Sequence, residues 1–286
     1  ESCAPWLAWW LYLLSATNRF MQGILCAVAR VVVVSIVRDK FAGREMAQVM
    51  SLASMVFMAA PILAPAMGQL VLAVSTWRWI FGALGAIGFA VSAWVMMRMP
   101  ETLAPENRAE LSMAAVTSSV RTVVTDRMSL GYGLALAVIS CSLFGFLMSV
   151  QPIFQHVFQR PELLPIGFAV MASGMAGASL VNATIVRHFG MRKIGHGALF
   201  FFTAVAAAHA AIALSGHETM ASFILLQTLM MMGFSFVAGN FGAMAMENMG
   251  HVAGMASSLQ GSLSSIAASI VGAIIGGSFD GTTVPL

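Results

Sequence analysis

Charged residues are scarce in this chain. Lys, Arg, Asp and Glu make up 9% of its 286 residues, whereas a soluble domain of this size carries about 25%. Hydrophobic residues make up 59%, and the mean hydropathy is +0.87. Such a composition cannot cover a water-facing surface, which excludes a cytosolic enzyme, a nucleic-acid-binding protein and a disordered regulator. The chain is therefore expected to be an integral membrane protein embedded in a lipid bilayer.

Cysteine is also rare, and the residue patterns of enzyme sites are missing. The three cysteines, Cys3, Cys26 and Cys141, are scattered and share no ligand-like spacing with a pair of histidines. This arrangement predicts neither a disulfide framework nor a metal centre. No intramembrane Ser/His, paired-Asp or nucleotide-binding motif occurs either, so neither an enzyme nor a cofactor is expected.

Long apolar stretches, in contrast, are abundant. A helix needs about 20 mostly apolar residues to cross a bilayer, and eight stretches of the chain meet that requirement. The fold class predicted is all-α, a polytopic membrane protein with about eight transmembrane helices. The predicted spans are residues 8–37, 46–75, 78–97, 128–154, 164–186, 196–214, 220–246 and 251–278.

Basic residues mark alternate breaks between these spans. Ten of the fourteen Lys and Arg residues lie in the breaks after the first, third and fifth spans. Because basic residues stay on the cytoplasmic side, these breaks are predicted to face the cytoplasm, and both ends of the sequence to lie outside. Five of the six tryptophans cluster at the outer ends of the first and third spans, as an interfacial aromatic belt does.

The longest break divides the chain into two parts. Residues 98–127 are predicted to form a central cytoplasmic loop, which separates the three spans within residues 1–97 from the five spans within residues 128–286. The chain begins with Glu1 rather than Met, and an apolar run is starting where it stops. Both ends are therefore expected to be cut from a longer protein.

The first span has a polar face. Residues recur along it at steps of three or four, which places them on one side of a helix. A charged side chain deep in a bilayer costs at least about 2.5 kcal/mol, so it marks a protein interior or a water-filled cavity. Arg19 is the strongest candidate; the alternative for Arg19 and for Arg30 is that they snorkel to the headgroups. The face consists of Tyr12, Ser15, Arg19, Gln22, Gly23, Cys26 and Arg30.

Later spans carry isolated polar residues at membrane depth. Asn240 and Gln227 lie in the seventh span, and His209 lies in the sixth. His209 either titrates or is a hydrogen-bonded interior residue. All eleven acidic residues, in contrast, fall in breaks or at span ends. Small residues in the last span indicate a seam for helix packing; they are Gly261, Ser265, Ser269, Gly272 and Gly276.

Six further segments carry recognisable motifs. They are, in order, Arg19-Phe20-Met21-Gln22-Gly23 with Val37-Arg38-Asp39, Ala64-Pro65-Ala66-Met67-Gly68, Trp77-Arg78-Trp79-Ile80-Phe81, Met99-Pro100-Glu101-Thr102-Leu103, Asn182 to Lys193, and Gly250-His251-Val252-Ala253-Gly254. Together these segments resemble the drug:proton antiporters of the major facilitator superfamily, particularly the Bcr/CflA group. The first two are similar to the family's fourth- and fifth-helix motifs, and the fifth is similar to the second-lobe copy of its basic loop.

The resemblance implies a fold and a function. The eight spans would be helices four to eleven of a twelve-helix, two-lobe carrier in the bacterial cytoplasmic (inner) membrane, expected to be a monomer. It would export a drug or small organic metabolite in exchange for protons. Gln69 departs from the family pattern, which usually has a second glycine there.

Site residues follow from the polar faces and the resemblance together. The substrate and proton pathway is predicted to include Arg19, Gln22, Gly23, Arg30 and Asn240. The antiporter-type helix motif comprises Pro61, Ala64, Pro65 and Gly68, and the cytoplasmic loop gate comprises Arg187, Gly190, Arg192 and Lys193.

Three points stay open at this stage. Because no carboxylate lies at mid-membrane, a proton-binding acid is expected in helices that precede this sequence. The alternatives to an exporter are a facilitative or uptake carrier on the same fold, and an inactive truncated remnant. The substrate itself cannot be identified from the fold.

Overall fold

The chain folds into long α-helices. A computed structural model describes residues 5–40, 67–68, 70–99, 112–249 and 252–286, with side chains only in part along the first of these ranges. Residues 67, 68 and 70–74 are helical. The helices named below are α1 (Pro5–Lys40), α2 (Arg78–Arg98), α3 (Met113–Thr125), α4 (Arg127–Pro152), α5 (Leu164–Phe189), α6 (Met191–Leu214), α7 (Met220–Met246) and α8 (Ala253–Gly277).

The helical, membrane-spanning fold class is confirmed. Among the described residues, six helical segments are long and apolar enough to cross a membrane, and they match the third to eighth predicted spans. The first predicted span lies within α1, whereas the second, residues 46–75, lies largely outside the described residues. The six segments are Arg78–Arg98, Arg127–Val157, Pro161–Phe189, Met191–Leu214, Met220–Met246 and Gly254–Gly277.

Helix α3 lies within residues 98–127, which the sequence analysis described as a central cytoplasmic loop without assigning a helix to it. Val116, Val120 and Val123 follow at steps of four and three, so they share one face of the helix. Val123 is buried against Met249 and Ala256. With 13 residues, α3 is too short to register as a membrane span, and its amphipathic pattern is the signal that was missed.

The described residues belong to two compact units, which are treated separately here. One contains α1 and residues 95–99, and the other contains residues 67–94 as far as described and everything from residue 112 onward. In α1 the described side chains are nearly all exposed, and in α2 no side chain is buried. The predicted lobe boundaries, residues 1–97, 98–127 and 128–286, stay a prediction.

Helices α4 to α8 pack into a bundle. α7 lies along α5 and α6 and also packs against α4, and α4 in turn lies along α8. α5 and α6 make little direct contact with each other. α7 is therefore the central helix of the bundle, and it carries more buried residues than its neighbours.

Glycines allow these helices to approach one another closely. A Cβ added at Gly272 would lie 3.2 Å from backbone and side-chain carbons of Phe144 on α4, and one at Gly276 would lie 3.0 Å from the Cβ of Met148. A Cβ at Gly174 on α5 would come within 2.5 Å of Thr228 on α7. The packing seam predicted for α8 is confirmed at Gly272 and Gly276. It is wrong for the first part of the helix, where a Cβ added at Gly261 would meet no described atom within 4 Å and Ser265 and Ser269 are exposed.

The two ends of the bundle differ in composition. The basic end carries Arg127, Arg187, Arg192 and Lys193 at or next to the starts of α4 and α6 and the end of α5. The far end carries the turns 158–163 and 215–219 and residues 278–286. These last residues, the segment that follows α8, are called the tail below, without implying that the protein ends there. The core of the far end contains Phe146, Val150, Ile153, Phe154, Met171, Phe223 and Met231.

Helix α4 ends at the far end in an irregular turn. Pro152 has no N–H to donate, so the helical bond at that position is lost, and the chain widens into a π-helical turn over Ile153–Val157. Both Ile153 and Phe154 are fully buried there. The proline and the turn thus insert two large apolar side chains into the far-end core.

Candidate functional site

The polar face of α1 is present as a surface. The Arg19 guanidinium donates a hydrogen bond to the Gln22 side-chain oxygen over 3.2 Å, within the helix. Arg19, Gln22, Gly23 and Cys26 are all exposed. Arg30 lies in the same helix, but its side chain is outside the described residues. The structure therefore brings Arg19 and Gln22 together on one exposed face.

Most of the antiporter-type motif lies outside the described residues. This applies to Pro61, Ala64 and Pro65. Gly68 is helical and half-buried, and a Cβ added to it would meet no described atom within 4 Å. The role predicted for this motif therefore stays a prediction.

Asn240 is paired with another asparagine inside the bundle. Its side-chain amide donates to the Asn182 side-chain oxygen over 2.7 Å and to the Phe236 carbonyl over 2.8 Å. Asn240 is only 2% exposed. It lies six residues before the end of α7, which is about 9 Å along the helix axis. The pair therefore links α5 to α7 at membrane depth, in the half of the bundle nearer the basic end.

Gln260 forms a second polar link in the same half of the bundle. Its side-chain amide donates to the Ser129 hydroxyl over 2.9 Å and to the Ala245 carbonyl over 3.3 Å. Ser129 is buried. The contact connects α8 to the start of α4 and to the end of α7, so three helices meet at one amide group.

Asp126 caps α4 at the rim of the basic end. Its carboxylate accepts a hydrogen bond from the Ser129 backbone N–H over 2.7 Å and from the Asn248 side chain over 3.1 Å. These two bonds, the backbone one first, hold the pKa of Asp126 below the usual value of an aspartate. The carboxylate therefore stays ionised and fixes the start of α4 to the end of α7.

A hollow of about 430 Å³ opens between α4, α6 and α7 near the basic end. Three rings meet in it: Tyr132 lies 4.9 Å from Phe241, and His196 lies 5.4 Å from Phe241, between ring centroids. His196 turns its Nδ1 to the Arg192 carbonyl at 2.8 Å. The hollow is lined by Arg127, Met128, Gly131, Tyr132, Ala135, His196, Leu199 and Phe241.

Gln227 is the exception to the pairing of buried polar groups. It is 1% exposed, and its side-chain oxygen has no hydrogen-bond partner among the described residues. A buried acceptor without a hydrogen bond costs free energy, because it has lost its contacts with water. Gln227 lies on α7, the same helix as Asn240. An unsatisfied amide oxygen inside the bundle is suited to accept a hydrogen bond from a bound molecule or water.

The predicted basic loop is shorter than expected. Arg187 lies in the last turn of α5, and Arg192 and Lys193 lie in the first turn of α6. Gly190 alone separates the two helices, and its φ of +78° is a conformation that side-chain-bearing residues rarely adopt. The sixth span therefore begins at Met191 rather than at residue 196, because Gly190 turns the chain in a single step.

His209 is a hydrogen-bonded interior residue, as one of the two interpretations of the sequence had it. Its Nε2 lies 2.7 Å from an oxygen of Glu218, and the two side chains are 9% and 5% exposed. The sequence analysis placed Glu218 in a break between spans, where a solvated carboxylate is expected. The nine-residue separation across a turn containing Gly216 was the available signal for this contact.

Other polar contacts could not be anticipated from the sequence. The Asn182–Asn240 pair joins residues 58 apart, and the Gln260–Ser129 pair joins residues 131 apart. Neither follows from helical periodicity, because periodicity gives the face of a helix but not its neighbour. Arg19 and Asn240, which the sequence analysis assigned to one pathway, lie in different compact units.

Comparison with known proteins identifies the family. The family model described as Major Facilitator Superfamily matches residues 2–272. The chain is 30% identical over 249 residues to an uncharacterized MFS-type transporter, YdgK, of Bacillus subtilis, which covers 85% of this chain and 61% of that protein.

Two further relatives have names that refer to resistance. A bicyclomycin resistance protein homolog of Haemophilus influenzae is 26% identical over 85% of this chain and 61% of its own length. The multidrug resistance protein MdtL of Salmonella schwarzengrund is 26% identical over 86% of this chain and 60% of its own length. The chain thus spans about three fifths of these relatives. The resemblance stated from the motifs is confirmed: this multi-pass membrane chain belongs to the major facilitator superfamily.

Proposed function

We propose that the chain is part of a secondary transporter of the bacterial inner membrane that exports a small organic molecule in exchange for protons. The observation that carries the proposal is the placement of polar side chains at membrane depth in otherwise apolar helices, represented by Asn240, Asn182 and Gln227. Polar groups in membrane helices are kept where they face an interior or a substrate path. Names of relatives that refer to bicyclomycin and multidrug resistance support export over uptake.

The roles of individual residues follow from their positions. Arg19 and Gln22 present a cation and an amide side by side on one helix face, which suits a carboxylate or a polar substrate group. Asn240 and Gln227 supply amide groups from α7. The residues at the basic end, Arg187 and Arg192, flank the Gly190 turn, where a change in one dihedral pair would alter the angle between α5 and α6.

Transport assays on the full-length protein in proteoliposomes test this function. An imposed pH gradient should drive accumulation of bicyclomycin, the compound in the name of one relative given above, or of chloramphenicol. Chloramphenicol is in the name of a resistance protein of Acinetobacter baumannii that is 27% identical over 44% of this chain. Equilibration of the compound without accumulation would instead indicate a facilitative carrier. If neither compound moves faster than in protein-free vesicles, export of this compound class is contradicted.

A pair of arginine variants tests the role of Arg19. Arg19→Ala should reduce gradient-driven transport by at least about tenfold, because the substrate path loses its charge. Arg160→Ala is the matched control, since Arg160 is exposed and its nearest carboxylate, Glu162, is 4.0 Å away. The control should transport normally; equal transport by both variants would exclude Arg19 from the path.

A further inference from the structure

A buried acid and a buried base meet at the far end of the bundle. The Nε2 atom of His209 lies 2.7 Å from Oε1 of Glu218, and the second carboxylate oxygen accepts a hydrogen bond from the Thr283 hydroxyl. All three side chains are buried. The three residues come from α6, from the turn before α7 and from the tail after α8, so one carboxylate joins three separate parts of the chain.

The turn that carries Glu218 is held in place by local contacts. The Thr219 hydroxyl accepts a hydrogen bond from the Ser222 backbone N–H over 3.2 Å, and the Ser222 hydroxyl accepts one from the Thr219 backbone N–H over 2.9 Å. This reciprocal cap fixes the start of α7. Gly216, with a φ of +70°, allows the chain to reverse just before it. Glu218 is thereby directed inward rather than into solvent.

The His209 side chain is held in place by packing against an aromatic ring. The His209 ring packs edge-on against Phe223, with 5.5 Å between centroids at 68°. When Glu218 is ionised, both of its oxygens accept hydrogen bonds, so His209 donates from Nε2. The Nδ1 atom of His209 then carries the free lone pair and is the atom that accepts a proton. Uptake there converts a hydrogen bond between a neutral imidazole and a carboxylate into an ion pair without moving either side chain.

The remaining charged groups of this end are engaged elsewhere. His217 turns its Nδ1 to the Ser215 carbonyl at 2.7 Å, and Asp280 accepts hydrogen bonds from Thr282. His156 packs on Phe279 at 6.2 Å between centroids, and Arg160 and Glu162 are exposed on the other turn. Glu218 is therefore the carboxylate that His209 contacts among the described residues.

We propose that His209 and Glu218 form a proton-binding site whose protonated state ties the tail to the turn between α6 and α7 through Thr283. Charge attraction between the pair exists only while His209 is protonated and Glu218 is ionised. In that state the carboxylate is fixed most strongly and holds the Thr283 hydroxyl. The site goes beyond the transport function proposed above and does not depend on it.

Titration of the histidines by NMR tests proton binding directly. The full-length protein, labelled with ¹³C at the histidine Cε1 atoms and held in lipid nanodiscs, is followed between about pH 5 and pH 8, where imidazole titrates. The His209 signal is assigned by its loss in His209→Gln, or by elimination with variants of the other histidines. It should move with a single-proton transition that Glu218→Gln displaces and the His217→Gln control leaves in place. A His209 signal that stays constant across this range would overturn the proposal.

Hydrogen exchange of the tail tests the coupling. After correction for the intrinsic pH dependence of exchange, amides of residues 278–286 should exchange about fivefold more slowly at the acid end of the range than at the basic end. Thr283→Val should abolish this difference while the His209 signal still titrates, and His217→Gln should retain it. The same pH dependence in Thr283→Val as in the unsubstituted protein would overturn the coupling.

Discussion

The two ends of the α4–α8 bundle are built differently. At the far end, aromatic rings fill the space between helices: Phe154, Phe158 and Phe223 contact one another edge-on or tilted. At the basic end, a hollow of about 430 Å³ stays open, and helices are joined by amide and hydroxyl hydrogen bonds such as that from Gln260 to Ser129. Both ends contain buried apolar clusters, but the far end is filled by contacting aromatic rings, whereas the basic end leaves a hollow and adds several hydrogen bonds between helices.

The difference bears on function because packed side chains and hydrogen bonds respond differently when a side chain is removed or a helix moves. An interlocked aromatic core loses stability when any part is removed. A hydrogen bond between membrane helices is worth about 0.6 kcal/mol on average, because each partner readily finds another. We therefore expect the basic end to rearrange more easily than the far end, as an end that admits a substrate would.

The largest effect is expected from removing an aromatic ring at the far end. Phe223→Ala should lower the free energy of unfolding by about 4 kcal/mol, since the ring is fully buried. Phe241→Ala at the basic end should lower it by about 3 kcal/mol, because that ring already borders the hollow. Phe200→Ala, at a ring that is 77% exposed, is the control and should change it by less than about 0.5 kcal/mol. Unfolding in mixed micelles measures all three, and equal losses for Phe223 and Phe241 would remove the contrast.

A larger side chain should also have different effects at the two ends of one helix, α8. Gly276→Leu places a side chain against Met148, where an added Cβ already lies 3.0 Å away. We expect a loss of about 2 kcal/mol in unfolding free energy. Gly261→Leu, near the basic end of the same helix, meets no described atom within 4 Å and serves as the matched control. If Gly261→Leu were as damaging as Gly276→Leu, the close contact of α8 with α4 would not be confined to the far-end half of α8.

A smaller effect is expected from the asparagine pair. Asn240→Leu leaves the Asn182 side chain without its partner, and should lower the free energy of unfolding by about 1 kcal/mol. The double variant Asn182→Leu with Asn240→Leu should be less destabilised than the sum of the single variants, because neither polar group is then left unpaired. A double-mutant cycle measures the coupling, and strict additivity would show that the bond contributes nothing.

The smallest effect concerns Asp126 at the rim of the basic end. Asp126→Ala removes the cap of α4 and should lower the free energy of unfolding by about 1 kcal/mol or less, whereas Asp126→Asn retains a capping oxygen and should lose less. Because its pKa is lowered in the folded state, the ionised carboxylate adds stability above the pKa of the unfolded chain, about 3.9. That contribution is lost as the pH falls through the lower, folded value. Unfolding midpoints recorded from neutral pH down to about pH 3 check the sign; greater stability of the unsubstituted protein in acid would contradict it.

The sequence was sufficient to predict helices and their faces, but not their partners. Span positions followed from hydropathy, since burial in lipid and burial in protein both demand apolar residues over about 20 positions. Gly272 and Gly276 were recognised as a seam, yet only the structure shows that α4 is the helix they meet. α3 was missed because the search was for apolar stretches of about 20 residues, and an amphipathic helix of 13 residues does not meet that requirement.

The candidate site was harder to predict for the same reason. Asn240 was identified as a polar residue at membrane depth, while Asn182, its partner, was noted only as part of a loop motif. Glu218 was assigned only to a break between spans, because its position in a turn says nothing about the direction of its side chain. Sequence separation hides such contacts, which arise only when the helices are assembled.

Because a single residue, Gly190, joins α5 to α6, a change in its backbone dihedral angles would tilt the whole of α6 relative to α5. His209 lies 18 residues beyond the start of α6 at Met191, about 27 Å along the axis. A rotation of about 5° at Gly190 would therefore displace His209 by about 2 Å, which is enough to separate its 2.7 Å contact with Glu218. A small change of angle at the basic end would thus make or break one bond at the far end of the bundle.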